Sequence, residues 1–310
     1  MISRRDIAAV HAVIAPFLRV TPVIDIRLPG IRESVSLKLE YLQHSGSFKA
    51  RGAFANLLGQ TTPPALVTAA SGGNHGAAVA FAAKSLGIPA RIFVHGKTSA
   101  EKKARIANHG AEVEQVGEAY EDARLAAAAF AQSSGAMDIH AYDSEPTLLG
   151  QGTIAREFEE QSPDLDTVMV AVGGGGLVGG IAGWYGGGIK VVGVETQGCN
   201  TLHAALAAGK PVGISPSGIA ADSLGASTLG ALSFPIAQAH VGESLLVSDD
   251  DVKRAQIWLW DHLRMMTEPG GAAAFAALLS GTYRPAEQER VGVVMCGANV
   301  SPAMFAELLK

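Results

Sequence analysis

Residues 45–53 read SGSFKARGA and predict a turn that passes directly into a helix. Residues 45–47 are types that favour turns and helix N-caps, and apolar residues recur at helical spacing over 48–58. Lys49 therefore falls in the first helical turn, where exposed N–H groups and the macrodipole disfavour a cation. Because burial also lowers an amine's pKa, this lysine is a candidate nucleophile for Schiff-base chemistry. The alternative is an ordinary surface lysine.

The composition indicates a well-packed globular protein. The chain has 310 residues, of which 48% are hydrophobic and 17% charged, enough for about two domains. A net charge of −5 without a Lys/Arg cluster argues against a nucleic-acid partner, and no apolar run is long enough to span a membrane. Residues 1–18 fit an amphipathic helix better than a signal peptide. Cys199 and Cys296 form no disulfide framework, so we expect a cytoplasmic protein.

Predicted strands and helices alternate along most of the chain, which indicates an α/β protein with parallel-rich sheets flanked by helices. The predicted strands are 36–40, 65–70, 90–94, 111–116, 137–140, 167–172, 190–195 and 291–295. The predicted helices are 3–16, 48–58, 74–86, 99–109, 119–134, 146–160, 200–208, 248–264, 271–280 and 301–309. Residues 211–243 are rich in Gly, Pro and Ser and predict irregular structure. Ligands of such folds bind where strands end and helices begin.

The first candidate binding loop is SGGNHG at 71–76, directly after a predicted strand. Its glycines allow close approach of the backbone to a ligand, and the following helix offers free N–H groups to an anion. Asn74 adds a side-chain amide. We interpret His75 as a capping or packing residue rather than a catalytic one, and an ordinary strand-to-helix turn is the alternative for the whole loop.

The second candidate loop consists of Gly173, Gly174, Gly175 and Gly176 after the strand 167–172. Four consecutive glycines are unfavourable in backbone entropy, and they form a natural nest of N–H groups for a phosphate. The same region also satisfies GxGxxG, with Glu195 about twenty residues further on, as in dinucleotide-binding proteins. A nicotinamide-dependent dehydrogenase is therefore an alternative at this point.

The third candidate loop, MCGAN at 295–299, follows the last predicted strand. The thiol of Cys296 is able to donate a weak hydrogen bond to a ring nitrogen. Its alternative role is that of a small buried apolar side chain.

These segments, together with LGQGT at 149–153, resemble the motifs of the fold-type II pyridoxal-phosphate enzymes, specifically the serine/threonine dehydratase branch. All of them occur in that family's order and at its spacing. The resemblance implies pyridoxal 5′-phosphate as the cofactor, with Lys49 as its Schiff-base residue. The cofactor-binding residues that it implies are Phe48, Lys49, Asn74, Gly173, Gly174, Gly175, Gly176 and Cys296. The substrate-binding residues that it implies are Ser71, Gly72, Gly73, Asn74 and His75.

The resemblance also implies an activity and a domain arrangement. We expect β-elimination of a β-hydroxy amino acid such as L-threonine or L-serine, giving a 2-oxo acid and ammonia, in a homodimer with no membrane or nucleic-acid partner. Residues 41–140 are expected to form a small domain inserted into a large one made of 1–40 and 141–310. The alternatives on the same fold are an amino-acid racemase and a hydroxyaspartate dehydratase. A non-enzymatic amino-acid sensor is a further alternative, against which an intact Lys49 argues.

At two positions, 72 and 201, this sequence differs from family members that racemise amino acids or that are activated by a metal. In serine racemases the second serine of an SSGN loop serves the second face of Cα, and the matching residue here is Gly72. Metal-activated members look to have an acid six residues after the glutamate that matches Glu195, and here that position is Thr201. We therefore expect little racemisation and no functional metal site, with Glu195 as a weak candidate ligand.

Overall fold

A computed structural model describes residues 2–310 of the chain, and strands alternate with helices over most of this range. The strands are β1 (Val23–Ile26), β2 (Val35–Lys38), β3 (Val67–Ala70), β4 (Ala90–Val94), β5 (Glu112–Gln115), β6 (Met137–Asp138), β7 (Thr167–Ala171), β8 (Lys190–Thr196), β9 (Val241–Val247) and β10 (Val291–Val294). The helices are α1 (Arg4–Ile14), α2 (Lys49–Leu58), α3 (Asn74–Ser85), α4 (Ala100–Asn108), α5 (Tyr120–Ser134), α6 (Glu145–Gln161), α7 (Gly176–Tyr185), α8 (Thr201–Ala208), α9 (Ala221–Leu224), α10 (Ser233–His240), α11 (Asp249–Leu263), α12 (Pro269–Leu279) and α13 (Pro302–Leu308).

The strands form two sheets within the described residues. The larger has the order β1-β2-β10-β7-β8-β9, with β1 antiparallel to β2 and the other neighbours parallel. The smaller has the order β5-β4-β3-β6 and is parallel throughout. The predicted fold class, an α/β protein with parallel-rich sheets flanked by helices, is confirmed. Because the strands are parallel, the loops that follow them gather at one edge of each sheet.

Each sheet has its own apolar core. The larger core packs around β7, β8 and β10, and its members include Val168, Val192 and Val293. The smaller core packs around β3 and β4 with α2 and α3, and its members include Phe54 and Ile92. The nearly continuous apolar sequence of the central strands reflects burial on both faces.

Glycines in two of the sequence motifs allow α2 and α6 to pack closely. A Cβ atom on Gly52 would lie 2.6 Å from Nε2 of Gln151, and one on Gly150 would lie 2.6 Å from the carbonyl oxygen of Arg51. These distances are too short for any larger residue. The glycines of the RGA and GQG segments therefore fix the position of the helix that begins at Lys49.

A buried charge cluster of Lys38, Glu40, Arg51 and Glu157 holds the same helix from its other side. Arg51 Nη2 contacts Oε1 of Glu40 at 2.7 Å and Oε2 of Glu157 at 3.0 Å, and its side chain is fully buried. Lys38 Nζ contacts Oε1 of Glu157 at 2.5 Å. Two cations and two carboxylates balance in charge, so the cluster is stable as a unit and sensitive to loss of any member.

Most predicted elements are present, with changes at their ends, and five regions differ. Residues 211–243 were expected to be irregular, but they contain α9, α10 and the start of β9. The predicted strand at 137–140 is reduced to two residues, and β1 and α7 were not predicted. The start of α2 also differs, because Phe48 is the N-cap residue and no side chain caps the helix.

The division into domains stays a prediction. The strands of the smaller sheet all come from residues 67–138, and those of the larger sheet come from the segments before and after them. No helix within residues 2–310 combines the length and apolar character that crossing a bilayer requires.

Candidate active site

A cavity of about 540 Å³ lies where the loops after the strands of both sheets meet. Its volume falls in the range of small-molecule binding sites. Every cofactor- and substrate-binding residue predicted from the sequence lines it: Phe48, Lys49, Ser71, Gly72, Gly73, Asn74, His75, Gly173, Gly174, Gly175, Gly176 and Cys296. The weak metal candidate Glu195 does not line it.

Lys49 begins α2 and is held at the cavity by the end of β10. Phe48 N–H donates to the carbonyl oxygen of Cys296 at 3.0 Å, and Ser47 pairs with Gly297 in an isolated antiparallel bridge. The Lys49 amine donates to the carbonyl oxygen of Ala141 at 2.7 Å. Backbone contacts between segments about 250 residues apart therefore determine where this amine lies.

Burial lowers the pKa of the Lys49 amine from 10.5 to about 8, while the nearby Cys296 and Glu268 act in the opposite direction. Removing an ammonium group from water disfavours its charged form. The lowered pKa leaves a substantial fraction of the amine neutral near physiological pH. A neutral amine in a cavity is both a nucleophile and a base.

The four glycines form the turn from β7 into α7. Gly175 has a φ of 92°, and a Cβ atom there would lie 2.7 Å from Cδ1 of Leu229. A Cβ atom on Gly174 would lie 2.3 Å from the ring of Tyr142. The loop is therefore a path that only glycine fits, and it leads into the N-terminus of a helix whose first N–H groups lack intrahelical partners. This arrangement favours an anion such as a phosphate.

Asn74 forms a chain of hydrogen bonds with two residues from the C-terminal part of the sequence. Its Nδ2 donates to Oε1 of Glu268 at 2.5 Å, and its Oδ1 accepts from Nδ2 of Asn299 at 2.5 Å. Burial raises the pKa of Glu268 to about 7, and the hydrogen bond from Asn74 opposes that shift. The amide of Asn74 is thus oriented by contacts on both of its polar atoms.

Glu268 is a site residue that the sequence analysis missed. It lines the cavity and precedes Pro269, the first residue of α12. An acidic residue followed by proline is a signal for the start of a helix, which was recognised here only as a helix beginning near 271. Its contact with Asn74 lies 194 positions away along the chain, and no local pattern indicates it.

Cys296 is 3% exposed and presents a neutral thiol to the site. Its Sγ donates to the carbonyl oxygen of Gly270 at 3.4 Å. Burial raises the pKa of the thiol, and the nearby Glu268 acts in the same direction. A thiol held neutral cannot keep a basic ring nitrogen protonated, unlike a carboxylate in the same place.

The loop of residues 71–75 begins α3, and its side chains differ in orientation. His75 Nε2 lies 2.7 Å from the carbonyl oxygen of Ile139, and burial lowers the pKa of this imidazole to about 3. The ring is therefore neutral, and its Nε2 atom is occupied by a backbone hydrogen bond, so we assign it no role in proton transfer. Ser71 Oγ accepts from the N–H of Gly73 at 3.2 Å, within the loop itself.

Glu195 lies outside the cavity and caps α8. Its two carboxylate oxygens accept from the N–H groups of Leu202 and His203, each at 2.8 Å. Thr201 Oγ1 donates to the carbonyl oxygen of Gly173 and lies 3.2 Å from Oε1 of Glu195. No group of three or more His, Cys, Asp or Glu side chains within residues 2–310 is arranged to hold a metal ion.

Comparison with known proteins supports one reading of this site. A family model described as pyridoxal-phosphate dependent enzyme matches residues 14–297. The phenylserine dehydratase of Ralstonia pickettii is 37% identical, over 98% of this chain and 95% of its own. The L-threonine ammonia-lyase of Thermotoga maritima is 31% identical, over 89% of this chain and 69% of its own. The structure of maize serine racemase matches with a TM-score of 0.93 at 30% identity, covering 99% of this chain and 97% of the other.

The chain therefore belongs to the family of pyridoxal-phosphate-dependent enzymes. It is a fold-type II enzyme of the serine/threonine dehydratase type, an ammonia-lyase, and its cofactor is pyridoxal 5′-phosphate. The cavity fits this cofactor, since it brings together an amine of lowered pKa and a glycine turn that any side chain would block. The sequence-based prediction of family and cofactor is confirmed, and family membership removes the dinucleotide alternative for the glycine loop.

Proposed function

We propose that the enzyme eliminates water from a β-hydroxy amino acid, and that hydrolysis of the resulting enamine, which takes up one water molecule, gives the 2-oxo acid and ammonia. The observation that carries this proposal is the Lys49 amine, whose pKa is lowered to about 8 in the cavity that also contains the glycine turn. Such an amine is a suitable base for removing a proton from Cα near neutral pH. Position 72 is a glycine, so this residue supplies no second acid–base group on the face of Cα opposite Lys49.

In the proposed site the chain's own groups hold the cofactor. The N–H groups of residues 173–176 and the start of α7 would bind its phosphate. Asn74, oriented by Glu268 and Asn299, would contact its phenolic oxygen. The neutral Cys296 thiol would contact the ring nitrogen. The chemistry that pyridoxal phosphate supplies when bound is withdrawal of electrons from Cα of the attached amino acid.

Lys49 would then move two protons at its Nζ atom. The neutral amine takes the α-proton, and the resulting ammonium supplies the proton that the departing β-hydroxyl needs to leave as water. Meanwhile the N–H groups of residues 71–75 would hold the substrate carboxylate at the start of α3. Because the carboxylate is fixed, the Cα–H bond keeps its orientation toward the amine.

The substrate's side chain is proposed to extend toward the loops after β4 and β5. The lining there includes Ala119 and Tyr120 from the loop after β5, and Tyr142 adds a second aromatic ring from the loop after β6. The full-length similarity to a phenylserine dehydratase supports a bulky side chain. A hydroxyaspartate fits less well, because Lys102 at the cavity already pairs with Asp222.

A substrate panel tests the proposal. The holoenzyme is incubated with L-serine, L-threonine, 3-phenylserine and 3-hydroxyaspartate, and 2-oxo acid and ammonia are measured together. We expect equal amounts of both products with at least one substrate, and a loss of at least about 10³-fold in Lys49→Ala. Absence of turnover would favour the amino-acid sensor, and a D-amino acid as main product would favour a racemase, the activity named for the maize relative.

We also propose a cytoplasmic homodimer. Light scattering on the purified holoenzyme tests the oligomeric state, and a mass of about 32 kDa, that of one chain, would contradict it.

A further inference from the structure

Thr98 lines the cavity on the loop after β4, and its hydroxyl group is buried beside it. The loop turns through a hydrogen bond from Thr98 N–H to the carbonyl oxygen of His95 at 3.0 Å. The next residue, Ser99, caps α4 by accepting from the N–H of Lys102 at 3.3 Å. Thr98 is therefore held between a turn and a helix start. Its side chain is 6% exposed, and Oγ1 has no hydrogen-bond partner.

This side chain lies against Gly72 of the loop at residues 71–75. A Cβ atom on Gly72 would lie 2.5 Å from Cγ2 and 2.6 Å from Oγ1 of Thr98. Both residues line the cavity. Thr98 thus occupies the space that a side chain at position 72 would need, and its hydroxyl is next to the N-terminus of α3, a helix of 12 residues.

An unpartnered buried hydroxyl is unfavourable, so its presence in a binding cavity points to a ligand that pairs with it. The ligand group is defined by its surroundings. The N-terminus of a helix attracts an anion, and a hydroxyl beside it is a donor suited to the same anion.

We propose that Oγ1 of Thr98 donates a hydrogen bond to the α-carboxylate of the amino-acid substrate, in addition to the N–H groups of residues 71–75. This inference rests on the proposed function for the kind of substrate. It makes Thr98 a substrate-binding residue, whose side chain fills the space beside Gly72.

The test measures equilibrium binding of L-alanine, which has no β-leaving group, by the change in absorbance of the bound cofactor. Thr98→Val keeps the branched shape and removes the hydroxyl. We expect it to raise the Kd of L-alanine about ten- to a hundredfold, as for a hydrogen bond to a charged group. Thr98→Ser keeps the hydroxyl and should bind L-alanine within about threefold of wild type. L-Alaninamide lacks the carboxylate, so its Kd should change little in Thr98→Val.

Thr68→Val is the matched control. Thr68 is fully buried on β3, its hydroxyl also lacks a partner, and it does not line the cavity. Its substitution should leave the Kd of L-alanine unchanged, and cofactor affinity should be unchanged in every variant. If Thr98→Val should fail to retain cofactor, Thr98→Ala replaces it. Valine exchanges the hydroxyl for a methyl group, whereas alanine removes both the hydroxyl and the γ-methyl group.

Three results would overturn the proposal: wild-type affinity for L-alanine in Thr98→Val, equal weakening of L-alanine and L-alaninamide, or equal weakening by Val and Ser. These outcomes are independent of turnover. If no β-hydroxy amino acid is dehydrated but L-alanine binding depends on Thr98 as described, the proposed function fails and the Thr98 assignment stands. If a β-hydroxy amino acid is dehydrated but L-alanine binding does not depend on Thr98, the proposed function stands and the Thr98 assignment fails.

Discussion

The pKa of about 8 at Lys49 predicts how the cofactor-free protein takes up pyridoxal phosphate as the pH changes. Covalent attachment requires the neutral amine, because an ammonium group has no free electron pair. At pH 7 an amine of pKa 10.5 is neutral in about one molecule in three thousand, whereas one of pKa about 8 is neutral in about one in ten. The structure therefore predicts attachment about 300-fold faster than at an ordinary lysine.

The pH profile gives a sharper test than the rate alone. The first-order rate of attachment at saturating cofactor should rise with pH up to about 8 and level off above it. A free lysine derivative, measured in parallel, should continue to rise to about pH 10. Stopped-flow absorbance between pH 6 and 10 records both, and the free amine corrects for ionisation of the cofactor itself.

Glu268, which contacts Asn74 at the cavity, titrates in the same window and needs its own control. Burial raises the pKa of Glu268 to about 7, whereas His75, with a pKa lowered to about 3, stays neutral throughout. Glu268→Gln retains an oxygen that accepts from Asn74 and removes a charge that raises the pKa of Lys49, so the break should persist in this variant and move to a lower pH. A profile that rises without a break to pH 10 would refute the assignment of a lowered pKa to Lys49.

Three other changes have expected outcomes. Gly175→Asp should weaken cofactor affinity about a hundredfold or more, since it strains a backbone with φ of 92° and puts a carboxylate in the phosphate turn; Gly186→Asp, also at positive φ but in open space, is the control, and equal affinities would contradict the assignment. Glu157→Ala should lower the free energy of unfolding by about 3–5 kcal/mol in urea titrations, because it leaves two buried cations, Lys38 and Arg51, with one carboxylate. The same change at Glu287, which forms an exposed ion pair with Arg32, should lower it by less than about 1 kcal/mol, and similar values for both would be inconsistent with the buried cluster. Treatment with a chelator should leave turnover within about twofold, because Glu195 already accepts two backbone N–H groups, and a large loss restored by magnesium would show that a cation acts there.

Local sequence signals were sufficient for the loops that form the cavity. A strand followed by SGGN or by four glycines limits the backbone to a tight turn into a helix, and the structure shows both turns at the edges of their sheets. The helix starts predicted near 99 and 248 are confirmed, and in the structure the side chains of Ser99 and Ser248 cap these helices. Such features depend only on residues that are neighbours along the chain, so they can be predicted from the sequence.

Features that depend on contacts between distant segments were not predictable in this way. Glu268 acquires its raised pKa from burial, and it joins the site through Asn74. Thr98 faces Gly72 only because β3 and β4 are neighbours in the smaller sheet. The helix at 233–240 was missed for another reason: Pro235 lies inside it, and proline within the first turn does not prevent a helix.

The central claim is that the chain eliminates rather than racemises, and the partition between the two products measures it most directly. The holoenzyme is incubated in deuterated water with L-serine, L-threonine or 3-phenylserine, whichever it turns over best. The 2-oxo acid is measured enzymatically, the remaining substrate is analysed by chiral chromatography, and its α-deuterium content is determined by mass spectrometry.

The account predicts that 2-oxo acid forms at least about 100-fold faster than the D-isomer, since Gly72 supplies no acid–base group and positioned proton transfer contributes about 10²–10⁴-fold. Gly72→Ser alone should not change this ratio, because its Cβ atom would lie 2.5 Å from Thr98 Cγ2. D-Isomer formed by the wild-type enzyme at a rate comparable to that of the 2-oxo acid would contradict the account.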